Sequence, residues 1–392
     1  MALWYKHTRP SAAFSRLSVE QQNLATYDAF WAALDANYYD PERLATPKMR
    51  ERRAEWRATA RSANAVQMHG GVLDRLSAQF PNSHVTTAPR VSINDIMIAA
   101  LPADLSEQWK QVRKKFAGGP GFEDATIRRP FGNERIVGDV LTGSAADEAG
   151  ITPGWKILSA ATSQQANEPA IRFAGEFVSA PGAEPIEIAF VLDEREERAH
   201  FETQTLSDGS TYVRFDAFAD VGNPDEVIAA IDGAGPGGLV IDVRGNLGGS
   251  DEDLKRIAGR LLGHDVSIGR IVGRGTPVDL RTNAVRHYAG PLAILVGPSS
   301  ASAAEVLAAA VQDHGRGRIV GRTTNGSVLA SQNFPLPDGG QVQVPTHDFM
   351  RIDGRRIEGV GVEPDIEVMP TLDDVRAGRD PALERALAEL GK

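Results

Sequence analysis

Cysteine is absent from all 392 residues. That removes disulfides, a thiolate nucleophile and thiolate-bound metals together, and it fits a reducing or an oxidising compartment equally. No run approaches the ~20 apolar residues that span a bilayer as a helix. Positive charge is not in excess: 42 Lys and Arg face 52 Asp and Glu, a formal net charge of −10. This argues against a nucleic-acid binder and against attraction to anionic membranes. There is no His-Glu-x-x-His, no Walker loop and no Rossmann fingerprint, so neither metal nor cofactor is expected. The first ten residues, Met1 to Pro10, lack the apolar core of a signal peptide. Lysine is scarce in the second half, where Lys392 is the only one after Ser302. At this length the chain can form more than one domain with a full core.

What is present is most informative from Pro291 to Glu305, P-L-A-I-L-V-G-P-S-S-A-S-A-A-E. The apolar run Leu292 to Val296 predicts a buried strand, Gly297-Pro298 breaks it, and the Ala-rich pattern from Ser302 predicts a helix. Ser302 then occupies a strand-to-helix turn at the positive end of a helix, where a hydroxyl is exposed and backbone N–H groups are free to bind an oxyanion. The plain alternative is that Ser302 is a helix N-cap. Upstream, Leu239 to Val243 predicts a second buried strand, followed by a tight turn over Arg244 to Gly249. Downstream, Ile319 to Ser327 predicts a third strand leading into a Gly-containing loop.

These segments resemble the C-terminal processing peptidases, or tail-specific proteases, and the related tricorn core. The family pattern D-x-R-x-N-x-G-G corresponds to Asp242–Gly249, and S-A-S-A-x-E to Ser300–Glu305. Q-D-x-x-R corresponds to Gln312–Arg316 and G-x-x-T-x-G to Gly321–Gly326. P-L-P-D-G-G and G-x-G-x-x-P-D correspond to Pro335–Gly340 and Gly359–Asp365. The resemblance implies a serine peptidase with Ser302 as nucleophile.

One departure decides the mechanism. The family usually places a Lys base after the G-x-x-T-x-G loop, and this chain has Ser327 there. Arg cannot accept a proton in its place. Serine still needs a base near neutral pH, and imidazole is the usual one. The resemblance to the tricorn branch points to Ser83-His84 as the base-bearing pair and to Glu358, where many relatives carry Gln, as the acid. We therefore expect Ser302 as nucleophile, His84 as general base and acid, Glu358 as the orienting acid and Ser83 as a polarising or positioning group. His347 is the second candidate for the base. By the same resemblance, the oxyanion donors are the N–H groups of Ala303 and of Gly248, with Gly249 close behind.

The expected fold class is mixed α/β and α+β in several domains. A helical N-terminal region (19–100) carries His84. A PDZ-like β-rich module (118–197) resembles that family through Ser144–Leu158, and there Gly119, Gly121 and Phe122 would bind a peptide C-terminus. An α/β serine peptidase core (204–370) and a C-terminal helical segment (371–392) follow, with Asp380 and Pro381 opening the helix Pro381–Leu390. The implied partner is an unfolded or C-terminally recognised polypeptide, with no nucleic acid, no transmembrane segment and the oligomeric state left open. The family resemblance implies an extracytoplasmic location. The competing function is a catalytically inactive peptide- or ligand-binding homologue, for which the missing Lys is the argument.

Overall fold

The computed structural model describes residues 9–64, 67–80, 84–88, 122–129, 132–140, 144–165, 168–192, 201–218, 224–284 and 286–391. The long helix Val19–Asn37 starts on a capping box, in which Ser18 accepts from Gln21 N–H and the Gln21 side chain accepts from Ser18 N–H. Its apolar stripe, Tyr27, Phe30, Trp31 and Leu34, is fully buried. Helices Pro41–Leu44 and Pro47–Ser62 follow, each with proline in its first turn. Gln67–Leu73 is a π-helix that runs on into Asp74–Ser77. The short strand β1 (Thr86–Ala88) comes next.

This helical region does not close its own core. Its buried cluster includes Leu336, Val342 and Val344, which come from far along the chain. Each large apolar side chain buried there contributes about 1.5–3 kcal/mol. That shared burial docks the N-terminal region onto the catalytic half.

The middle of the chain is a five-stranded antiparallel sheet. Its strands are β2 (Phe122–Arg129), β3 (Gly132–Val140), β4 (Lys156–Gln165), β5 (Glu168–Val178) and β6 (Ile186–Val191), lying side by side in chain order. The text Ser144–Leu158 forms a short helix, Ala145–Glu148, capped by the Ser144 hydroxyl, and then enters β4. Val137, Ile157, Phe173 and Phe177 form its core. Phe122 packs edge-on against Phe173, with ring centres 5.6 Å apart. Gly119 and Gly121 lie outside the described residues.

The catalytic half is built on a six-stranded sheet. Its members are β7 (Phe201–Thr205), β8 (Thr211–Phe215), β9 (Leu239–Asp242), β12 (Leu292–Val296), β13 (Arg318–Gly321) and β16 (Ile366–Glu367), in the order β16-β13-β12-β9-β8-β7. Every pair is parallel except β7–β8. Strand β12 explains its own sequence. Leu292, Ile294 and Val296 point into one core with the helices Asp251–Leu262 and Ala303–Asp313. Ala293 and Leu295 point into the other, against the C-terminal helix Pro381–Leu390. A strand covered on both faces is apolar throughout, as this one is.

A second sheet holds β10 (Ser267–Val272), β11 (Val278–Arg281), β14 (Ala330–Pro335) and β15 (Gln341–Met350). Strand β1 joins it by pairing antiparallel with β15, Thr86 opposite Gln343 and Ala88 opposite Gln341. Among the described residues, no helix is long and apolar enough to cross a membrane.

Candidate active site

Strand β12 ends at Val296, and the chain turns through Gly297 to Ala301 before the helix Ala303–Asp313 begins. Ser300 is fully buried inside this turn. Its hydroxyl donates to Val243 O at 2.7 Å and accepts from Gly297 N–H at 3.0 Å, so it staples the turn rather than facing a substrate. Ser302 has φ 56° and ψ −120°, a left-handed conformation that costs a non-glycine residue roughly 1–3 kcal/mol. Ser302 occupies the N-cap position in a capping box with Glu305, whose side chain accepts from Ser302 N–H at 3.1 Å while Glu305 N–H goes to Ser302 O at 2.9 Å. Its positive φ lies outside the extended range that an N-cap ordinarily adopts.

The backbone around Ser302 is tightly held. Its N–H reaches Ser327 O at 2.9 Å and Glu305 Oε2 at 3.1 Å. Ala301 N–H reaches Asn246 O at 2.9 Å, which ties the elbow to the glycine turn after β9. Gly248 in that turn has φ 94°, and a Cβ there would lie 2.5 Å from Ser302 Cβ and 3.0 Å from Ala303 N. Only glycine lets the backbone come this close. Ala303, the first residue of the helix, has an N–H with no intrahelical acceptor. Of the two glycines, Gly248 donates its N–H to Asn246 Oδ1 at 2.8 Å, whereas Gly249 N–H has no partner among the described residues.

His84 precedes β1 with φ 71°, a region that histidine visits more than most side chains. Burial of its imidazole pushes its pKa below the ordinary value, and the Glu358 carboxylate opposes that shift. A depressed imidazole is neutral at neutral pH, which is the form a base requires. Glu358 is itself nearly buried, with Oε2 accepting from Val328 N–H at 2.9 Å. The neighbouring Ser327 gives its carbonyl to Ser302 N–H. One short loop thus touches Ser302 through Ser327 and Glu358 through Val328, and the Glu358 charge acts on His84.

The other candidates are engaged elsewhere. Ser327, at the family's Lys position, bonds Asn325 Oδ1 at 2.5 Å. Lys255 is paired with Asp251 at 2.8 Å, which raises its pKa and keeps it a cation. His347 Nδ1 lies 2.9 Å from Thr346 Oγ1, and its ring packs against Gly273. His314 bonds Ser267 O at 2.8 Å from the C-terminal end of the elbow helix. Asp242 and Arg244 form a buried strand-end anchor that also reaches Asp380 and Tyr212. Ser83 lies outside the described residues. Among the described residues, no group of His, Asp and Glu side chains could hold a metal ion.

Sequence reasoning missed two residues that shape this site. Glu305 was visible only as a motif letter, although Ser302-x-x-Glu305 has the spacing of a capping box. His69 carried no motif, yet it is buried and pairs with Asp338 at 2.6 Å. Nothing local foretells a partner so far along the chain.

A mostly parallel sheet that presents a strained serine at a helix start, beside a glycine turn, is the arrangement expected of a serine hydrolase. Residues 209–368 match peptidase family S41, and this part of the chain is an S41 peptidase domain. Tricorn protease homolog 1 of Streptomyces coelicolor is 34% identical over 155 residues, covering 38% of this chain and 14% of that one. A carboxyl-terminal-processing protease of Synechocystis sp. is 26% identical over 253 residues, covering 60% of this chain and 59% of that protein. The chain thus spans less than two thirds of these relatives. The solved photosystem II D1 C-terminal processing protease is similar in fold, with a TM-score of 0.57 at 21% identity, covering 94% of this chain and 97% of that one.

Proposed function

We propose that this chain is a serine endopeptidase that cleaves unfolded or C-terminally recognised polypeptides through an acyl-enzyme. The observation that carries the reading is the Ser302 hydroxyl on a strained elbow at a helix start, with His84 kept neutral by burial and under the influence of Glu358. His84 takes the Ser302 proton as the oxygen attacks the scissile carbonyl, and later returns it to the leaving amine. Glu358 stabilises the imidazolium formed in between. The oxyanion is met by Ala303 N–H and a glycine N–H of the Gly248-Gly249 turn, each donor being worth ~3 kcal/mol of barrier. Gly249 carries the open donor in this conformation, and Gly248 joins it only once its N–H leaves Asn246.

The PDZ-like module is the proposed reader of peptide C-termini, through Gly119, Gly121 and Phe122. An extracytoplasmic location accompanies this reading, in line with the resemblance to processing proteases. The test is covalent labelling of intact chain by a fluorophosphonate. Labelling at Ser302, lost together with casein hydrolysis in Ser302→Ala, is the expected result. An unlabelled wild-type chain that binds peptides without cleaving them would instead favour a binding protein on this fold.

A further inference from the structure

The Glu305 side chain is fully buried, and among the described residues no cation is paired with it. A carboxylate offers about four acceptor sites, and here each meets a donor. Oε1 accepts from Thr324 Oγ1 at 2.5 Å and Gly326 N–H at 2.7 Å. Oε2 accepts from Ser327 N–H at 2.8 Å and from Ser302 N–H at 3.1 Å. We infer that Glu305 is a positioning residue of the proposed reaction: it holds Ser302 in its left-handed conformation by gripping the nucleophile's own N–H and the 324–327 loop with one carboxylate.

The grip extends to the acid. Thr324 Oγ1, while donating to Glu305, accepts from Val362 N–H at 2.7 Å. Gly359 N–H reaches Gly326 O at 2.8 Å, so the segment bearing Glu358 rests on the same loop. A relaxed backbone at Ser302 would break the bonds to Glu305 Oε2 and Ser327 O together. The loop that would present a Lys base in the resembling family therefore serves here as a frame for the elbow. Burial pushes the Glu305 carboxyl above its ordinary range, while its donors oppose this by favouring the ionised form. The other carboxylate tied to this loop is Glu358, on Val328 N–H.

The inference rests on the peptidase reading, and its test separates the two. Glu305→Gln keeps the shape but turns an amide NH₂ towards N–H donors. We expect this variant to fold, with KM for a casein-derived peptide within about 2-fold of wild type and kcat and fluorophosphonate labelling down about 100-fold, the scale of a small misplacement of reacting groups. Its crystal structure should show Ser302 relaxed to negative φ. Thr324→Val removes the hydroxyl that donates to Glu305 Oε1 and accepts from Val362 N–H, so kcat should fall about 5-fold with KM little changed, and Thr324→Ser should restore it. That rescue with an unmoved KM is a readout a merely structural role would not give, and this second pair serves even if Glu305→Gln fails to fold. Should wild type prove inert while the elbow relaxes in Glu305→Gln, the peptidase reading falls and the grip stands. An unchanged elbow in Glu305→Gln, or full kcat in Thr324→Val, overturns the inference.

Discussion

Ser302 follows a strand buried between two cores, whereas His84 heads a three-residue strand with one neighbour among the described residues. The surroundings of Ser302 are local: β12 and the strands β9 and β13 belong to one sheet, and the elbow helix and the loops leaving those strands connect it. His84 comes from a region that borrows its core from the β14–β15 hairpin. Its attachments include the β1–β15 pairing, Tyr39 N–H to Pro345 O at 3.0 Å, Arg274 to Tyr38 O at 2.8 Å, Arg356 to the Tyr39 hydroxyl, and His69 against Asp338 in the hairpin turn. The contrast teaches that the hydroxyl is fixed by the fold, while the imidazole is fixed by docking.

The largest effect expected is on the docked side. His84→Ala should lower kcat/KM by ~10³-fold or more, as loss of a triad base does, with little change in thermal unfolding. On the fixed side, an effect of similar free energy should appear in stability instead. Arg351 and Asp313 form a buried ion pair that ties the end of the elbow helix to the residue after β15. Arg351→Ala leaves Asp313 buried without that partner and should cost ~3–5 kcal/mol in a denaturant titration. Glu358→Gln should reduce kcat by ~10²-fold. It should also shift the acid limb to lower pH, because Glu358 raises the His84 pKa and its loss lets burial depress that value further. The smallest effect concerns the strand itself. Thr86→Val removes the Thr86 Oγ1 to Gln343 bond of 2.9 Å and should cost ~1 kcal/mol, read as a slight fall in melting temperature and a few-fold drop in kcat.

The same contrast governs what could be read from the amino acids alone. The elbow was legible because a strand covered on both faces must be apolar at every position, and Gly297-Pro298 marks where it stops. The capped helix at Pro381 was legible for equally local reasons. The docked side was not. The expected helical stretch contains a π-helix at Gln67–Leu73, because apolar spacing does not reveal a change of hydrogen-bond register. Strand β1 is three residues long, and its pairing with β15 defines it. His69 with Asp338, and Glu305 with its four donors, depend on contacts across the fold that no spacing rule encodes.

His84 as proton acceptor for Ser302 is tested most directly by the pH dependence of kcat/KM in wild type and in His84→Ala. The account predicts one acid limb in wild type, governed by a group titrating below the ordinary imidazole value of about 6.5, and no such limb in the residual activity of the variant. A limb above pH 8 that survives in His84→Ala would contradict it and assign the proton to an amine.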